Sequence, residues 1–358
     1  MTAGTPPGST PGSTPSSTPS SFAEIRRLAE AVPGPDVDAV AKAKAREPRL
    51  TKPGGALGRL EELAEWLCAW QGRHPPAVEH PRVAVFAGNH GVAALGVSAY
   101  PPSVTEQMVQ NFVRGGAAVN QLCKVADADL RVYEMALDQP TADFTREPAL
   151  GEDACVRAMA YGMMAVEPGI DLLCLGEMGI ANTTSASAIG LALYGGSAED
   201  WTGPGTGVVG DVLTKKREVV AAGVARHRGD IMRDGAADPL AVLAALGGHE
   251  LAGICGAVLA ARLARVPVVL DGFTATVAAA VLEKLKPGLL DHCVVGHLSD
   301  EPAHRRICAI LNKQPLLEFR MRLGEASGAA LAIPLIRAAA ACHAGMATFD
   351  EAGVDDKE

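Results

Sequence analysis

Residues 170–194 read IDLLCLGEMGIANTTSASAIGLALY. A short, uniformly apolar run ends in Gly176, Glu177 and Gly179 and passes into a long stretch rich in Ala and Ser. Apolarity over so few residues suits a strand buried on both faces, and the segment after it suits a helix packed back on that strand. The unit recurs. RVAVFAG (82–88) leads through NHGVAALGVSAYPPS to the helix-like VTEQMVQNFV, VPVVLDG (266–272) to FTATVAAAVLEKL, and DHCVVGH (291–297) to LSDEPAHRRICAIL. Right-handed crossovers between parallel strands produce this repetition. The predicted fold class is therefore α/β, with a doubly wound, mostly parallel, Rossmann-like sheet.

Working outward, FAEIRRLAEAV, VDAVAKAKAREPRL and LGRLEELAEWLCAW carry apolar residues at helical spacing, broken by Pro33-Gly34-Pro35 and by Lys52-Pro53-Gly54-Gly55. They predict a small helical unit over 22–75, before a large α/β domain over 76–320 and a C-terminal helical segment over 321–358. Residues 1–21 repeat Gly, Ser, Thr and Pro with no large apolar side chain beyond Met1, and are expected to form a disordered tail.

The chain of 358 residues is long enough for an enzyme, and a net charge of −9 without a basic run speaks against a nucleic-acid partner. Eight cysteines without a CxxC pair sit mostly in apolar company and read as buried thiols. The N-terminus lacks the basic and apolar regions of a secretory signal, so a reducing cytoplasm is expected. The apolar segments 251–270 and 326–347 are interrupted by Arg262 and Arg265, and by Pro334 and Arg337; neither predicts a membrane span.

In a doubly wound sheet the loops leaving the carboxyl ends of the strands converge on one crevice, where ligands bind. Those loops hold Asn89 and His90, Glu177 to Thr184, Asp271, and His297 to Glu301. GEMGIANTT (176–184) places glycines and a helix start after a core strand, a pattern that admits a phosphate as readily as a plain capped turn. Glu177 favours the functional reading, because a carboxylate between a core strand and a glycine serves no packing purpose. Gly205, Gly207 and Gly210 make a formal GxGxxG, but the polar SAEDWTGP before it is not the strand that a dinucleotide fingerprint needs. A loop entering a helix fits better, with Lys215, Lys216 or Arg217 placed either to reach a phosphate or on a solvated face.

MRLGEASGAALA (321–332) sets one carboxylate, Glu325, between a glycine and an apolar helix. If the loop is buried, desolvation raises its pKa and makes it a competent general base near neutral pH; the alternative is a first-turn Glu favoured by the helix dipole. His90, His297 and His304 stand on separate loops without HxxxH or HExxH spacing, so no metal is expected, and no cofactor either.

Taken together, LTKPGGALGRLEELA (50–64), residues 86–120, GEMGIANTT, GPGTGV (203–208), DPLAVLAALGGHELAG (238–253), LDGF (270–273), GHLSDEPAHR (296–305) and MRLGEASGAALA resemble the nicotinate-nucleotide–dimethylbenzimidazole phosphoribosyltransferase family of cobalamin lower-ligand synthesis. The resemblance covers almost everything after the tail. It departs at KPGGALG, GIANTT and EASGA, where the family often has KPPGSLG, GIGNTT and EGTGA or EGSGA, and at Asn89, where an Asp is common. The Gly-to-Ala changes bear on substrate affinity rather than on reaction type.

The resemblance implies transfer of a 5-phosphoribosyl group from nicotinate mononucleotide to 5,6-dimethylbenzimidazole, with inversion at the anomeric carbon. It implies Glu325 as the proton acceptor and Glu177 in the same crevice, supporting the base or holding the ribose. Gly176, Gly179, Asn182, Gly205, Gly207, Lys216 and Ser299 are implied for the nucleotide phosphate and ribose, and Ser98, Tyr100, Gln107, Met178 and Leu323 as walls for the benzimidazole. It also implies a homodimer with a small helical domain built from both chain ends. Competing readings are an NAD-dependent oxidoreductase, resting on the formal GxGxxG, and a non-catalytic nucleotide-binding regulator. A transferase using phosphoribosyl diphosphate would want a paired-acid loop, and the only Asp-Asp pair, Asp355-Asp356, lies in the polar C-terminal tail.

Overall fold

The computed structural model describes residues 18–356. Residues 1–17 of the expected tail lie outside the described residues, whereas Ser21 begins the folded chain: its hydroxyl accepts from the Glu24 N–H (3.3 Å) and caps the first helix.

Helices α1 (Phe22–Glu30), α2 (Val37–Arg46) and α3 (Arg59–Gln71) precede strand β1 (Pro81–Ala87). After it come α4 (Ser103–Arg114), α5 (Ala118–Ala126), β2 (Asp129–Glu134), α6 (Glu152–Met163) and β3 (Leu172–Met178). The chain continues through α7 (Asn182–Tyr194), α8 (Ala198–Trp201), α9 (Gly210–His227) and a small antiparallel hairpin of β4 (Met232–Arg233) with β5 (Ala236–Ala237). Then follow α10 (Pro239–Leu246), α11 (His249–Leu263), β6 (Val268–Leu270), α12 (Phe273–Leu285) and β7 (Cys293–Val295). Helices α13 (Pro302–Ile310), α14 (Ser327–Gly345) and α15 (Phe349–Ala352) end the described chain.

The main sheet has five strands in the order β2-β1-β3-β6-β7, every pairing parallel. Period-two alternation divides each central strand between two cores. Ala84, Phe86, Leu173 and Leu175 face the layer that contains α6, α7, α10, α11 and α12. Val83, Val85, Leu172 and Cys174 face α3, α5 and α14. The expected fold class is thus present as a parallel sheet between two helical layers. The predicted strands at 82–88, 170–176, 266–272 and 291–297 all appear in it, while β2 was not anticipated. That strand lies at the sheet edge with exposed and half-buried residues alternating, so its sequence, DLRVYE, lacks the uniform apolarity of the others.

Ile25 and Ala29 of α1 bury into the first core, beside α6, whereas α3 packs on α14 across the other face. Segments 22–75 and 321–358 do meet, but α1 stands apart from the expected small unit, and the boundaries at 75/76 and 320/321 remain a proposal. Among the described residues, Ser327–Gly345 is the one helix long and apolar enough to cross a membrane, yet half of it is buried inside the protein against α3 and α5.

Chain order fixes where a site belongs. From β1 the chain first moves outward to β2, then returns to place β3 on the other side of β1. The topological switch point lies between the carboxyl ends of β1 and β3, where Phe86 pairs with Glu177 and Ala87 with Met178.

Candidate active site

Glu177 is the penultimate residue of β3, half-buried at the switch point. The next loop turns sharply through Ala181, which holds a left-handed conformation (φ 76°), and Asn182 then opens α7. The Asn182 amide donates to Glu177 Oε2. Burial, then the charges of Asp271 and Glu250, push the Glu177 carboxyl up to about 8. At neutral pH it is therefore protonated, suited to donate a hydrogen bond rather than to take a proton.

Behind it stands a fully buried series: Ser185 Oγ lies 3.0 Å from His90 Nδ1, and His90 Nε2 lies 2.5 Å from Glu250 Oε1. The order resembles a hydrolase triad, but Ser185 and Glu250 have no exposed surface and cannot meet a substrate. The series joins the β1 loop, α7 and α11 beneath the crevice.

Glu325 comes from the opposite wall. Gly324, Glu325 and Ala326 are three successive left-handed residues (φ 78°, 62° and 58°), the last being the N-cap position of α14. For Ala and Glu that conformation costs about 1–2 kcal/mol per residue, so surrounding contacts must enforce it. The Glu325 N–H donates to the Glu177 carbonyl (3.0 Å), and the Ser327 hydroxyl donates to the Gly324 carbonyl (2.7 Å). Gly176 completes the clamp, because a Cβ there would collide with the backbone N and Cα of Ala326. Glu325 is 5% exposed, and burial followed by the charge of Asp271 pushes its carboxyl up to about 7. It is ionised over much of the neutral range and still basic enough to take a proton.

The two carboxyls differ in their stability signature. Because the folded Glu177 value of about 8 lies above that of an unfolded Glu, the protein loses stability as pH rises through the interval between them. Glu177→Gln removes that loss. Its gain in Tm over the parent should be near zero at pH 4, grow up to about pH 8 and then level off, as read by thermal scans across pH. A flat difference would mean that the Glu177 carboxyl ionises as an ordinary surface group does.

A cationic cradle adjoins the carboxyls. Lys216 on α9 is 1% exposed; its Nζ donates to Thr183 Oγ1 (2.8 Å) and to the Gly203 carbonyl (3.1 Å). Burial lowers its pKa to about 8, against the opposing pull of Glu301. Gly205, at φ 55°, passes so close that a Cβ would press on both Thr183 Oγ1 and Lys216 Nζ. Its N–H donates to Glu301 Oε1 (2.7 Å), while Ser299 Oγ accepts from the Glu301 N–H (3.3 Å). Arg322 donates to the Gly205 carbonyl (3.0 Å), tying the strand of chain before Glu325 to the glycine loop. The loop that carries Glu325 and the cradle are therefore joined.

Of the expected site residues, the structure joins Glu325, Glu177, Gly176 and Asn182 directly, and Gly205, Lys216 and Ser299 through the cradle. Gly179 sits in the turn between β3 and α7, where a Cβ would meet the Gly88 carbonyl and the Asn182 side chain. Gly207 lies in the same loop as Gly205, at φ 109°. Ser98 Oγ meets Thr206 Oγ1 (2.9 Å), which places it against this glycine loop. Met178 ends β3, Gln107 is exposed on α4, and Tyr100 and Leu323 are each 55% exposed. The loop containing Gly205 and Gly207 follows helix α8 rather than a strand, contrary to what a dinucleotide fingerprint requires.

Sequence reading placed Thr183, Asp271 and Glu301 on loops of the crevice but gave them no individual role, and it did not foresee the burial of Lys216. Thr183 had a usable signal, standing one residue after the Asn that opens the helix. Lys216 had none, since KKR in a polar helix also describes a solvated face. Among the described residues no group of three or more His, Cys, Asp or Glu is arranged to hold a metal ion. A cavity of about 460 Å³ lined by Arg59, Glu62, Trp66, Asp291 and Lys313 lies near the amino end of β7, away from these carboxyls. Its cations are already bonded to backbone carbonyls of Pro315, Gln314 and Leu290, so the crevice is the better site.

Residues 32–354 match a family model described as Phosphoribosyltransferase. A Rhizobium meliloti (strain 1021) protein named nicotinate-nucleotide--dimethylbenzimidazole phosphoribosyltransferase is 56% identical over 337 residues, covering 94% of this chain and 98% of that protein. A Brucella anthropi protein of the same name is 53% identical over 333 residues, covering 93% and 97%. The crystal structure of CobT from Thermus thermophilus superposes with a TM-score of 0.84 at 43% identity, covering 89% of this chain and 100% of that one.

Proposed function

The chain belongs to the phosphoribosyltransferase family of these proteins, and from that premise we propose that it transfers the 5-phosphoribosyl group of nicotinate mononucleotide to 5,6-dimethylbenzimidazole. The products are α-ribazole 5′-phosphate and nicotinate. The observation that carries this reading is Glu325: a buried carboxylate pushed up to about 7, clamped to the end of β3 and linked through Arg322 to a loop that cradles a buried lysine.

The nicotinate leaving group is already a cationic pyridinium in the donor, so its departure needs no general acid. The benzimidazole attacks the anomeric carbon through its nitrogen lone pair, from the face opposite the leaving group. The C–N bond to the pyridinium breaks as the new one forms, its electron pair leaving on the pyridine nitrogen, and the β-linked donor becomes an α-linked product. The second benzimidazole nitrogen then carries an acidic N–H, and the Glu325 carboxylate accepts that proton. Protonated Glu177 donates to an oxygen of the ribose, and the charge of Lys216, with the close-approaching loops that contain Gly176, Gly179, Asn182, Gly205 and Gly207, holds the 5′-phosphate. Ser299 completes the donor pocket. Ser98, Tyr100, Gln107, Met178 and Leu323 line the flat base, which needs apolar faces and few polar anchors.

The enzyme's working state in this reading is a cytoplasmic homodimer. Eight free cysteines, seven of them buried, support a reducing compartment. The dimer rests on the family resemblance alone.

The direct test incubates purified protein with nicotinate mononucleotide and a panel of bases and follows products by chromatography with mass detection. Formation of nicotinate and α-ribazole phosphate in equal amounts, dependent on dimethylbenzimidazole, is the expected outcome. No nucleotide product with any base would remove the transferase reading and favour the nucleotide-binding regulator.

A further inference from the structure

Helix α14 carries Glu325 at its start but has no local cap: the N-cap position is Ala326, whose side chain cannot accept a hydrogen bond. The missing acceptor arrives from another strand. Asp271, immediately after β6 and fully buried, accepts from the Gly328 N–H (2.7 Å) and the Ala329 N–H (3.0 Å) through Oδ1. Its own N–H donates to the Leu175 carbonyl of β3 (3.0 Å), so one residue ties β3, β6 and the catalytic helix together. Oδ2 has no hydrogen-bond partner among the described residues, and His297 Nδ1 stands 3.5 Å from Oδ1.

We propose that Asp271 is a positioning residue for the transfer reaction, holding the first turn of α14 and keeping its own carboxylate beside that of Glu325. Here it is fully buried, and its charge acts on the acceptor carboxyl. The charged and titratable groups facing Glu325 are Asp271 from the end of β6 and Glu177 from the end of β3. Behind them stand Glu250 of α11 and His297 from the loop after β7. Arg322, in the same loop as Glu325, is engaged with the Gly205 carbonyl. Of these groups, Asp271 is the one whose charge raises Glu325, second only to burial.

The inference rests on the transferase reading, and the wild-type enzyme tests that reading first: if it makes no α-ribazole phosphate, the function fails and not this step. Given an active wild type, kcat/KM is measured against pH for Asp271→Asn, which keeps an oxygen acceptor for Gly328 and Ala329 but removes the charge. The acid limb is expected to move down by about one pH unit and kcat to fall roughly tenfold as the base weakens. A cap with only a structural role would lower Tm and scale activity evenly at every pH, leaving the limb in place; that result would overturn the proposal. A second variant, Asp271→Asn with Ala326→Gly, relieves the left-handed strain at Ala326 should the single change fold poorly, and the same limb is read there. Failure of both to fold would also count against the proposal, since Asn retains both hydrogen bonds.

Discussion

Glu325→Gln is expected to lower kcat by about 10³-fold, within the range that a positioned general base supplies, while KM for nicotinate mononucleotide changes little. Gln keeps the shape of the side chain, so the three left-handed residues and the bond from the residue 325 N–H to the Glu177 carbonyl should survive. What it loses is the ability to take a proton. The pH dependence sharpens the test. The base works only when ionised, so wild-type kcat/KM should fall as pH drops below about 7, the value to which burial and Asp271 push Glu325. The variant should show no such limb. Glu177 cannot take over, because its carboxyl is pushed up to about 8 and is tied to Asn182. Residual activity above a tenth of wild type with an unchanged acid limb would mean that another group accepts the proton.

Much of this architecture could be read from the chain because its signals are local. A core strand, a glycine and a helix start occur within some fifteen residues at 172–186, and the same grammar repeats at β1, β6 and β7. Glu325 was legible for the same reason, as a lone carboxylate between Gly324 and an apolar helix. The remainder depends on tertiary contact. Asp271 stands 57 positions before Gly328 along the chain, and no periodicity could couple them. Glu301 looks like a helix N-cap, just before Pro302, yet its side chain makes no cap and reaches instead to the Gly205 N–H. The edge strand β2 reads as polar because one of its faces meets solvent. Ala181 and Ala326 were visible as departures from the family pattern, but only the backbone explains why glycine would suit both positions: each is left-handed.

The cradle gives the second large effect. Lys216→Met should raise KM for nicotinate mononucleotide by about 100-fold, equivalent to about 3 kcal/mol for a lost charge-assisted hydrogen bond to phosphate, with kcat within a few-fold of wild type. Met fills a similar volume, so α9 should still pack. The cost to folding is limited to the bonds Lys216 makes to Thr183 Oγ1 and the Gly203 carbonyl, and a parallel measurement of Tm isolates it. The wild type supplies an internal check. Burial lowers the Lys216 ammonium to about 8, so free enzyme loses that charge as pH rises past this value, and KM for the donor should climb with it. Phosphate binding favours the charged form, which makes the climb a property of free enzyme that kcat does not share. In Lys216→Met the donor KM should be high and free of that step. Glu301 is the counterweight: it lies against the same ammonium and holds the Gly205 N–H, so the loop keeps its shape before any phosphate arrives. An unchanged donor KM in the variant, with Tm intact, would move the phosphate away from this cradle and leave Lys216 as a strut between α9 and the glycine loop.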